Sequence, residues 1–299
     1  MFSALHWDYL HRVGLVAPFP AVLGVATGVA GHDEQLRGEL LSAGIVVETA
    51  DGLVLDASKR PVLEAFTAPP VTLFGTTLLY RDSVARPGAG DEVPEELREL
   101  AEATAVVVPQ SKFLVAVSDV VAAAAVQFRG ALSLTGVDCG HADPVVQAAR
   151  LLWEVLAPGD PHTELVEVTV PMPVLAAVAP VRVDAADDER ARPGLDGAAA
   201  VLAEAGVGAD RAAELVGLLG QAPLAAAQVC VSVWANHHLE QSRDAALGLL
   251  QFKQGAVLSV PSWRLDGSCH VTFMPATAGR WEKAVAEFVA RYEQRARIA

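Results

Sequence analysis

Two stretches of the chain repeat one order of apolar and polar positions. In residues 36–77 and again in 196–233, apolar residues at helical spacing lead to Ala-Gly and a β-branched residue. A second helical pattern follows and ends in Ala-Pro. The glycines of the two Ala-Gly pairs, Gly44 and Gly206, suit the left-handed conformation that closes many helices, and proline shortly after a helix stops it continuing. Each stretch therefore predicts two helices and then a strand.

Short alternating apolar runs follow both stretches and predict four strands in each half. In the first half the predicted strands cover 71–80, 112–118, 120–128 and 131–137; in the second half they cover 228–237, 245–252, 256–264 and 268–274. The pairs Gln254-Gly255 and Asp266-Gly267 are typical of hairpin turns. Connections this short make antiparallel strands, because parallel strands need a long crossover.

Each set of strands is followed by a predicted helix. The first covers 144–156 and begins after Asp143, a residue type that caps helix N-termini. The second begins near Ala278, and its apolar residues at helical spacing fall on one face. The residues on that face are Trp281, Val285, Phe288 and Tyr292.

The two halves thus predict an internal duplication, offset by roughly 155–160 residues. The expected fold is α/β of the α+β type: one compact pseudo-two-fold molecule with a central antiparallel sheet flanked by helical bundles. The halves cover residues 1–157 and 158–299. Chance similarity between alanine-rich segments is the alternative to duplication.

Two polar stretches interrupt this pattern. Residues 81–104 hold seven acidic and three basic residues between the first two strands of the first half, and residues 180–194 read as a solvated connector. Pro94 followed by two glutamates would begin a short helix well. The segment 81–104 is either a tolerated surface loop or an arm that binds a partner.

Charge and hydropathy narrow the class of protein. No apolar run in the 299 residues approaches the length of a membrane span, and the first residues carry Asp8 and two histidines where a signal peptide would be apolar. A net charge of −14 argues against nucleic acid, since phosphate binding needs an excess of Lys and Arg. Three cysteines without metal-site spacing suit a reducing compartment. We therefore expect a soluble, cytoplasmic protein without membrane insertion.

Candidate chemistry is sparse. His237 and His238 are adjacent at the end of a predicted strand, where their side chains cannot jointly hold one metal ion without distortion. Asp138, Cys139 and His141 lie close together in the sequence and are the residues that a small-molecule hydrolase or a metal-dependent enzyme would use. A strand-to-helix turn explains the same cluster without catalysis. The phosphate-loop, nucleophile-elbow and zinc-protease motifs do not occur, so we expect no cofactor and no catalytic centre.

The chain resembles the EspG family, the cytosolic chaperones of actinobacterial type VII (ESX) secretion. The resemblance lies in the opening "ALHWDYLHRVGL", in "ELLSAGIVVETADGLVLDASKRPVLEAFTAPPVTLFG", in "FLVAVSD" and in the closing "VLSVPSWRLDGSCHVTFMPATAGRWEKAVAEF". The resemblance covers essentially the whole chain. It lies more in the residue pattern of these segments and in their order along the chain than in any invariant motif. One departure concerns the penultimate strand, where Arg264 stands near the position of a family arginine but the preceding Asp-Thr is missing.

The resemblance implies a non-catalytic protein that binds a PE–PPE heterodimer through the apolar tip of the PPE subunit and delivers it for secretion. It also implies two contact regions, the segment 81–104 and the helical region 207–223. Candidate contact residues in these regions are Arg86, Val93, Glu96, Leu97, Leu100, Leu215, Leu218 and Leu219. The three leucines of the second region equally suit a helix packed in the core. The free protein is expected to be a monomer or a weak homodimer, and a structural subunit or a small-molecule regulator is a further alternative.

Overall fold

The computed structural model describes residues 2–24, 31–79, 110–178, 192–221, 223–243 and 245–298. These residues form eight α-helices and one short 3-10 helix, Ala21–Leu23. The α-helices are α1 (Ala4–Arg12), α2 (Asp33–Ser42), α3 (Arg60–Glu64), α4 (Pro144–Leu156), α5 (Met172–Val178), α6 (Arg192–Glu204), α7 (Ala209–Leu219) and α8 (Ala278–Ile298).

The same residues form twelve strands. They are β1 (Val46–Thr49), β2 (Gly52–Leu55), β3 (Val71–Leu79), β4 (Gln110–Val117), β5 (Val121–Phe128), β6 (Ala131–Asp138), β7 (Val168–Pro171), β8 (Ala225–Ala235), β9 (His238–Gln241), β10 (Leu247–Phe252), β11 (Gly255–Trp263) and β12 (Cys269–Pro275). Strands β1 and β2 form a separate hairpin.

The other ten strands form one sheet in which every pair of neighbours is antiparallel. Its order is β6-β5-β4-β3-β8-β10-β11-β12-β7, and β9 pairs with the end of β8. The two halves meet where β3 pairs with β8 over nine residue pairs, from Val71 opposite Val233 to Leu79 opposite Ala225. On each side of that junction the strands follow outward in chain order, except that β7, which precedes β8 in the chain, lies at the outer edge beyond β12. The prediction of an α/β fold with a central antiparallel sheet is confirmed.

Helices α4 and α8 cover one face of the sheet across the junction. Alternate residues of the central strands, among them Leu73, Val231 and Leu258, are buried against them. The α8 face predicted from sequence is confirmed, because Trp281, Val285, Phe288 and Tyr292 are all buried. The Trp281 indole Nε1 donates a 2.8 Å hydrogen bond to the Ala149 carbonyl, which joins the two helices.

Two separate helical layers cover the opposite face, one for each half. The first comprises α1 to α3 and the β1–β2 hairpin, packed on β4, β5 and β6 around Trp7 and Leu40. The second comprises α5, α6 and α7, packed on β10, β11, β12 and β7 around Leu202 and Leu215. The middle of this face, formed by β3 and β8, lies between the two layers.

The predicted helix ends and turns match the structure. The Asp143 carboxylate caps α4 by accepting hydrogen bonds from the amides of Val145 and Val146, a contribution of about 1 kcal/mol. Gly44 and Gly206 take the predicted positive φ, 63° and 91°, after α2 and α6. The turns at 253–254 and 264–268 join β10 to β11 and β11 to β12.

Some elements differ from the sequence prediction. The strand predicted over 228–237 ends at Ala235, and Asn236 and His237 form a tight turn with φ of 50° and 62° that leads into β9. The residues between α2 and α3 form the β1–β2 hairpin, which was not predicted. An Asp51-Gly52 pair marks its turn in the sequence. The second helix of the first half, α3, has only five residues.

The internal duplication stays a prediction. Two observations support it. The strands β3 to β6 and the strands β8 and β10 to β12 are arranged outward from the junction in chain order, and the outermost segment at each edge of the sheet leads directly into a helix. Ser3 bridges to β6 immediately before α1, and β7 pairs with β12 immediately before α5. None of the described helices is both long enough and apolar enough to cross a membrane.

Candidate functional site

The two regions implied as partner contacts attach to one end of the sheet. Strand β3 ends at Leu79, and the chain returns to the sheet at Gln110, which pairs with Leu78. Leu79 also pairs with Ala225, the first residue of β8, and α7 ends six residues earlier at Leu219. We call this end the insertion end. The candidate contacts Arg86, Val93, Glu96, Leu97 and Leu100 belong to the segment that leaves here, and they lie outside the described residues.

Helix α7 presents its leucines to the core rather than to solvent. Leu215 is fully buried and Leu218 is 4% exposed, both within the second helical layer, while Leu219 lies half-buried at its border. Of the three, only Leu219 is therefore placed to touch a partner directly. The exposed face of α7 is polar and carries Asp210, Arg211 and Glu214. Whether α7 contacts a partner stays a prediction.

A partly open strip of sheet lies between the two helical layers. On β3 and β8 the residues facing away from α4 and α8 form neighbouring pairs, Thr72 opposite Ser232 and Thr76 opposite Gln228. Gln228 is exposed and Thr76 is half-buried, whereas Val229 beside them is fully buried on the other face. We call these four polar residues, together with Cys230, the central strip. This strip was not predicted from the sequence, although the Thr-x-Phe-x-Thr alternation of β3 and the Gln-x-Cys-x-Ser alternation of β8 mark it.

Cys230 in the central strip is a neutral thiol. Burial raises its pKa, and a hydrogen bond with the Ser242 hydroxyl offsets only part of that effect. A raised pKa lowers the thiolate fraction, and the thiolate is the nucleophilic form. The strip thus offers hydrogen-bonding groups and apolar surface rather than a reactive nucleophile.

The Asp138, Cys139 and His141 cluster is a strand-to-helix turn. The Asp138 carboxylate accepts a 2.8 Å hydrogen bond from the Gly140 amide, and the Cys139 amide donates to the Val120 carbonyl. Cys139 is only 3% exposed, and burial raises its pKa. His141 points into solvent. The arrangement holds the thiol in its unreactive form away from any substrate.

The adjacent histidines also have a local role. His237 occupies the left-handed turn, and His238 begins β9 with its Nε2 3.8 Å from a Glu240 carboxylate oxygen. Within the part of the chain that the structure describes, no group of three or more His, Cys, Asp or Glu side chains is arranged to hold a metal ion. The two adjacent histidines are therefore part of the hairpin that joins β8 to β9.

Comparisons with known proteins bear on the family and the fold. Residues 96–287, more than half of the chain, match the model of the EspG family. A solved structure with a similar fold is the Mycobacterium tuberculosis type VII secretion system chaperone EspG5, determined in complex with the PE25-PPE41 dimer. The two structures have a TM-score of 0.62 and 16% sequence identity, over 96% of this chain and 94% of that one. No curated protein sequence matches the chain.

Proposed function

Because the chain belongs to the EspG family, we propose that it is a non-catalytic chaperone of type VII secretion that acts in the cytoplasm. In this proposal it binds a PE–PPE heterodimer through the apolar tip of the PPE subunit, keeps it soluble and delivers it to the secretion system. The observation that carries the proposal is the family match, and the fold shared with a chaperone solved on such a dimer supports it.

The insertion end is the surface that we assign to the client. Its two contact regions join the sheet side by side, because Leu79 and Ala225 are paired residues. In this proposal the client touches the insertion and the border of α7, and Leu215 and Leu218 hold α7 in place from beneath. The proposed direct contacts are Arg86, Val93, Glu96, Leu97, Leu100 and Leu219.

The residues of the insertion end suit reversible binding of the apolar tip of a PPE subunit. An exposed apolar patch on a client promotes aggregation, and a complementary apolar surface with a polar rim removes it from water. Leu97, Leu100 and Leu219 supply apolar area, and Asp210, Arg211 and Glu214 on α7 supply polar groups beside it. The net charge of −14 favours solubility of the complex.

The enzyme alternative has little support from the geometry. It requires a reactive Cys139, and that thiol is buried with a raised pKa. It also requires His141 to reach the thiol, whereas His141 is exposed to solvent.

Co-expression with PE–PPE pairs encoded in the same genome tests the proposal. We expect one pair to co-elute with the chain at equal stoichiometry in size-exclusion chromatography. Replacing an apolar contact by aspartate, Leu97→Asp or Leu219→Asp, should weaken binding by about tenfold or more, as for apolar anchors at other interfaces. The matched control is Val120→Asp, an apolar side chain that is 66% exposed at the opposite end of the sheet.

Two outcomes would count against the proposal. If the chain always elutes alone and the PE–PPE pairs stay insoluble, it is not their chaperone. If Val120→Asp weakens a complex as much as Leu97→Asp and Leu219→Asp do, the client does not bind at the insertion end. Substitution of Leu218 is unsuitable here, because that buried side chain supports the fold itself.

A further inference from the structure

In the second half, the end of the sheet opposite the insertion end carries three arginines. There the β8–β9 turn and the β11–β12 turn lie at the same level of the sheet, as the registers of β8, β10 and β11 show. Helix α8 runs back to this end, where Arg295 forms a 2.9 Å ion pair with Glu240 of β9. We call this end the cationic end and define it by Arg264, Arg291 and Arg295. At about 3.3 Å per strand residue, Trp234 at this end lies about 30 Å along β8 from Ala225 at the insertion end.

Arg291 stacks on an aromatic ring and has no acidic partner in the part of the chain that the structure describes. Its guanidinium carbon lies 3.8 Å from the centre of the Trp263 ring, and Trp263 in turn stacks on Phe288. Among the described residues, no carboxylate lies within ion-pair distance of Arg291, and its buried Nε has no hydrogen-bond acceptor. A guanidinium stacked on an aromatic face keeps its donor edge available for a carboxylate.

Arg264 is the second cation of this end without an ion pair among the described residues, and it is exposed. The nearby Asp266 does not neutralise it by direct contact. The Asp266 carboxylate instead accepts hydrogen bonds from the Ser268 hydroxyl and amide, and these chiefly lower its pKa. Arg12 and Arg150 are paired with carboxylates, whereas Arg129, Arg211 and Arg243 have no ion pair among the described residues either. Arg264 and Arg291 differ from those three because both lie beside Trp263: Arg264 follows it in the chain, and Arg291 stacks on its ring.

Exposed apolar side chains lie close to two of these arginines along the chain. Leu265 at the tip of the β11–β12 turn is fully exposed, and Ile298 at the end of α8 is 77% exposed. Trp234 and Leu239, which are paired across β8 and β9, are 53% and 48% exposed on the other face of the sheet, away from α8. Tryptophan and arginine are the residue types that most often anchor protein interfaces.

We propose that the cationic end is a docking surface for an acidic segment of a second protein. Carboxylates of that segment pair with Arg264 and Arg291, and its apolar side chains cover Leu265 and Ile298. Charge complementarity selects this occupant. A body of net charge −14 repels an acidic partner elsewhere on its surface, so such a partner is directed to the end where Arg264 and Arg291 lie beside Trp263 without an ion pair among the described residues. The surface is distinct from the insertion end, so a client and this second protein can be bound together.

Binding of a designed peptide tests the proposal. The probe is a fluorescein-labelled peptide of glutamate and leucine, measured by fluorescence anisotropy with the full chain. A peptide with glutamine in place of every glutamate is the probe control. We expect the acidic peptide alone to bind, and added salt to weaken it. Arg264→Glu and Arg291→Glu should each weaken binding about tenfold or more, since each removes a charge-assisted contact.

Matched variants separate this site from general electrostatics. Arg129→Glu makes the same charge change at an exposed arginine of the first half and should leave binding unchanged. Arg291→Lys keeps the charge but loses the planar fork, so it should weaken binding partially. Because Arg264 is exposed, Arg264→Glu should keep the wild-type unfolding temperature, which shows that any loss of binding is not a loss of fold.

Four results would overturn the proposal. The first is that the acidic peptide does not bind the wild type, and the second is that Arg129→Glu weakens binding as much as Arg264→Glu does. The third is that the chain self-associates and Arg264→Glu abolishes this association. The fourth is that the chain binds anionic vesicles and not the peptide. The third result would identify a second copy of the chain as the occupant, and the fourth a membrane surface. Client co-elution is measured on the same variants, so failure here is distinguishable from failure of the chaperone proposal.

Discussion

The junction between the two halves depends on Gly75. This residue lies near the middle of β3, opposite Val229 of β8, where the backbones of the two strands approach closely. A Cβ at position 75 would overlap the carbonyl oxygen of Gln228. It would also lie 2.9 Å from the Gln228 carbonyl carbon and 2.9 Å from Cζ of the buried Phe113. The substitution Gly75→Ala therefore forces β3 and β8 apart, and no flexible side chain can absorb the strain.

The expected cost follows from two effects. Overpacking of a rigid, well-filled site costs about 1–3 kcal/mol. Separation of the strands also weakens neighbouring backbone hydrogen bonds, each with a net contribution of about 1 kcal/mol. We expect Gly75→Ala to lower the free energy of unfolding by about 3 kcal/mol. At about 2–4 °C per kcal/mol, the unfolding temperature should fall by about 6–12 °C.

The assay is thermal and urea unfolding followed by circular dichroism, with Gly38→Ala as the matched control. Gly38 is exposed in the middle of α2, and a Cβ there meets no atom within 4 Å. Alanine is favoured over glycine in a helix by about 1 kcal/mol, so the control should be at least as stable as the wild type. If Gly75→Ala unfolds at the wild-type temperature, the close approach of β3 and β8 is wrong.

Two further predictions concern titratable groups. The hydrogen bond from Arg12 holds the pKa of Asp33 below its usual range, so this pair contributes stability above the unfolded-state pKa of Asp33 and loses it as the pH falls through the lower folded-state value. Thermal unfolding measured from neutral pH into the acid range should show that loss, and Asp33→Asn should reduce the acid dependence; an unchanged pH profile in the variant would contradict it. The Cys139 thiol should resist a thiol reagent at neutral pH until the chain is unfolded, because it is buried with a raised pKa; mass spectrometry of the labelled peptides measures this, and rapid native labelling of Cys139 would revive the enzyme alternative.

Hydrophobic periodicity predicted most of the large sheet. Strands such as β5 and β11 combine a buried face with short turns, so their bounds differ from the prediction by only a residue or so. Helix α4 is correct at both ends because Asp143 and Pro144 mark its start so clearly. Side-chain pattern and turn chemistry are local properties, and these elements depend on little else.

Elements held by distant contacts were harder to predict. Strand β7 has four residues and is stable as a strand only because it pairs with β12, about a hundred residues later. The β8–β9 turn uses Asn236-His237, which lacks the glycine that usually marks such a turn. The pairing of β3 with β8 joins the two halves, and neither sequence stretch carries a signal for its partner.

The candidate site was predictable only in part. The sequence identified α7 as an amphipathic helix, but it could not show which leucines are covered by other elements. Leu215 and Leu218 belong to a buried cluster with residues of α6, β7, β10, β11 and β12. The location of α7 beside the insertion follows from strand order, which periodicity does not determine.

The pairing of β3 with β8 also sets the order of events while the chain is being made. About 145 residues separate the end of β3 from the start of β8. At about 5–20 residues per second, β3 is synthesised roughly 7–30 s before its partner strand. During that interval the nascent first half presents an unpaired strand edge, which is a template for joining another chain. A stalled or truncated translation product would therefore expose this unpaired edge, and the chain would be most prone to aggregation midway through its own synthesis.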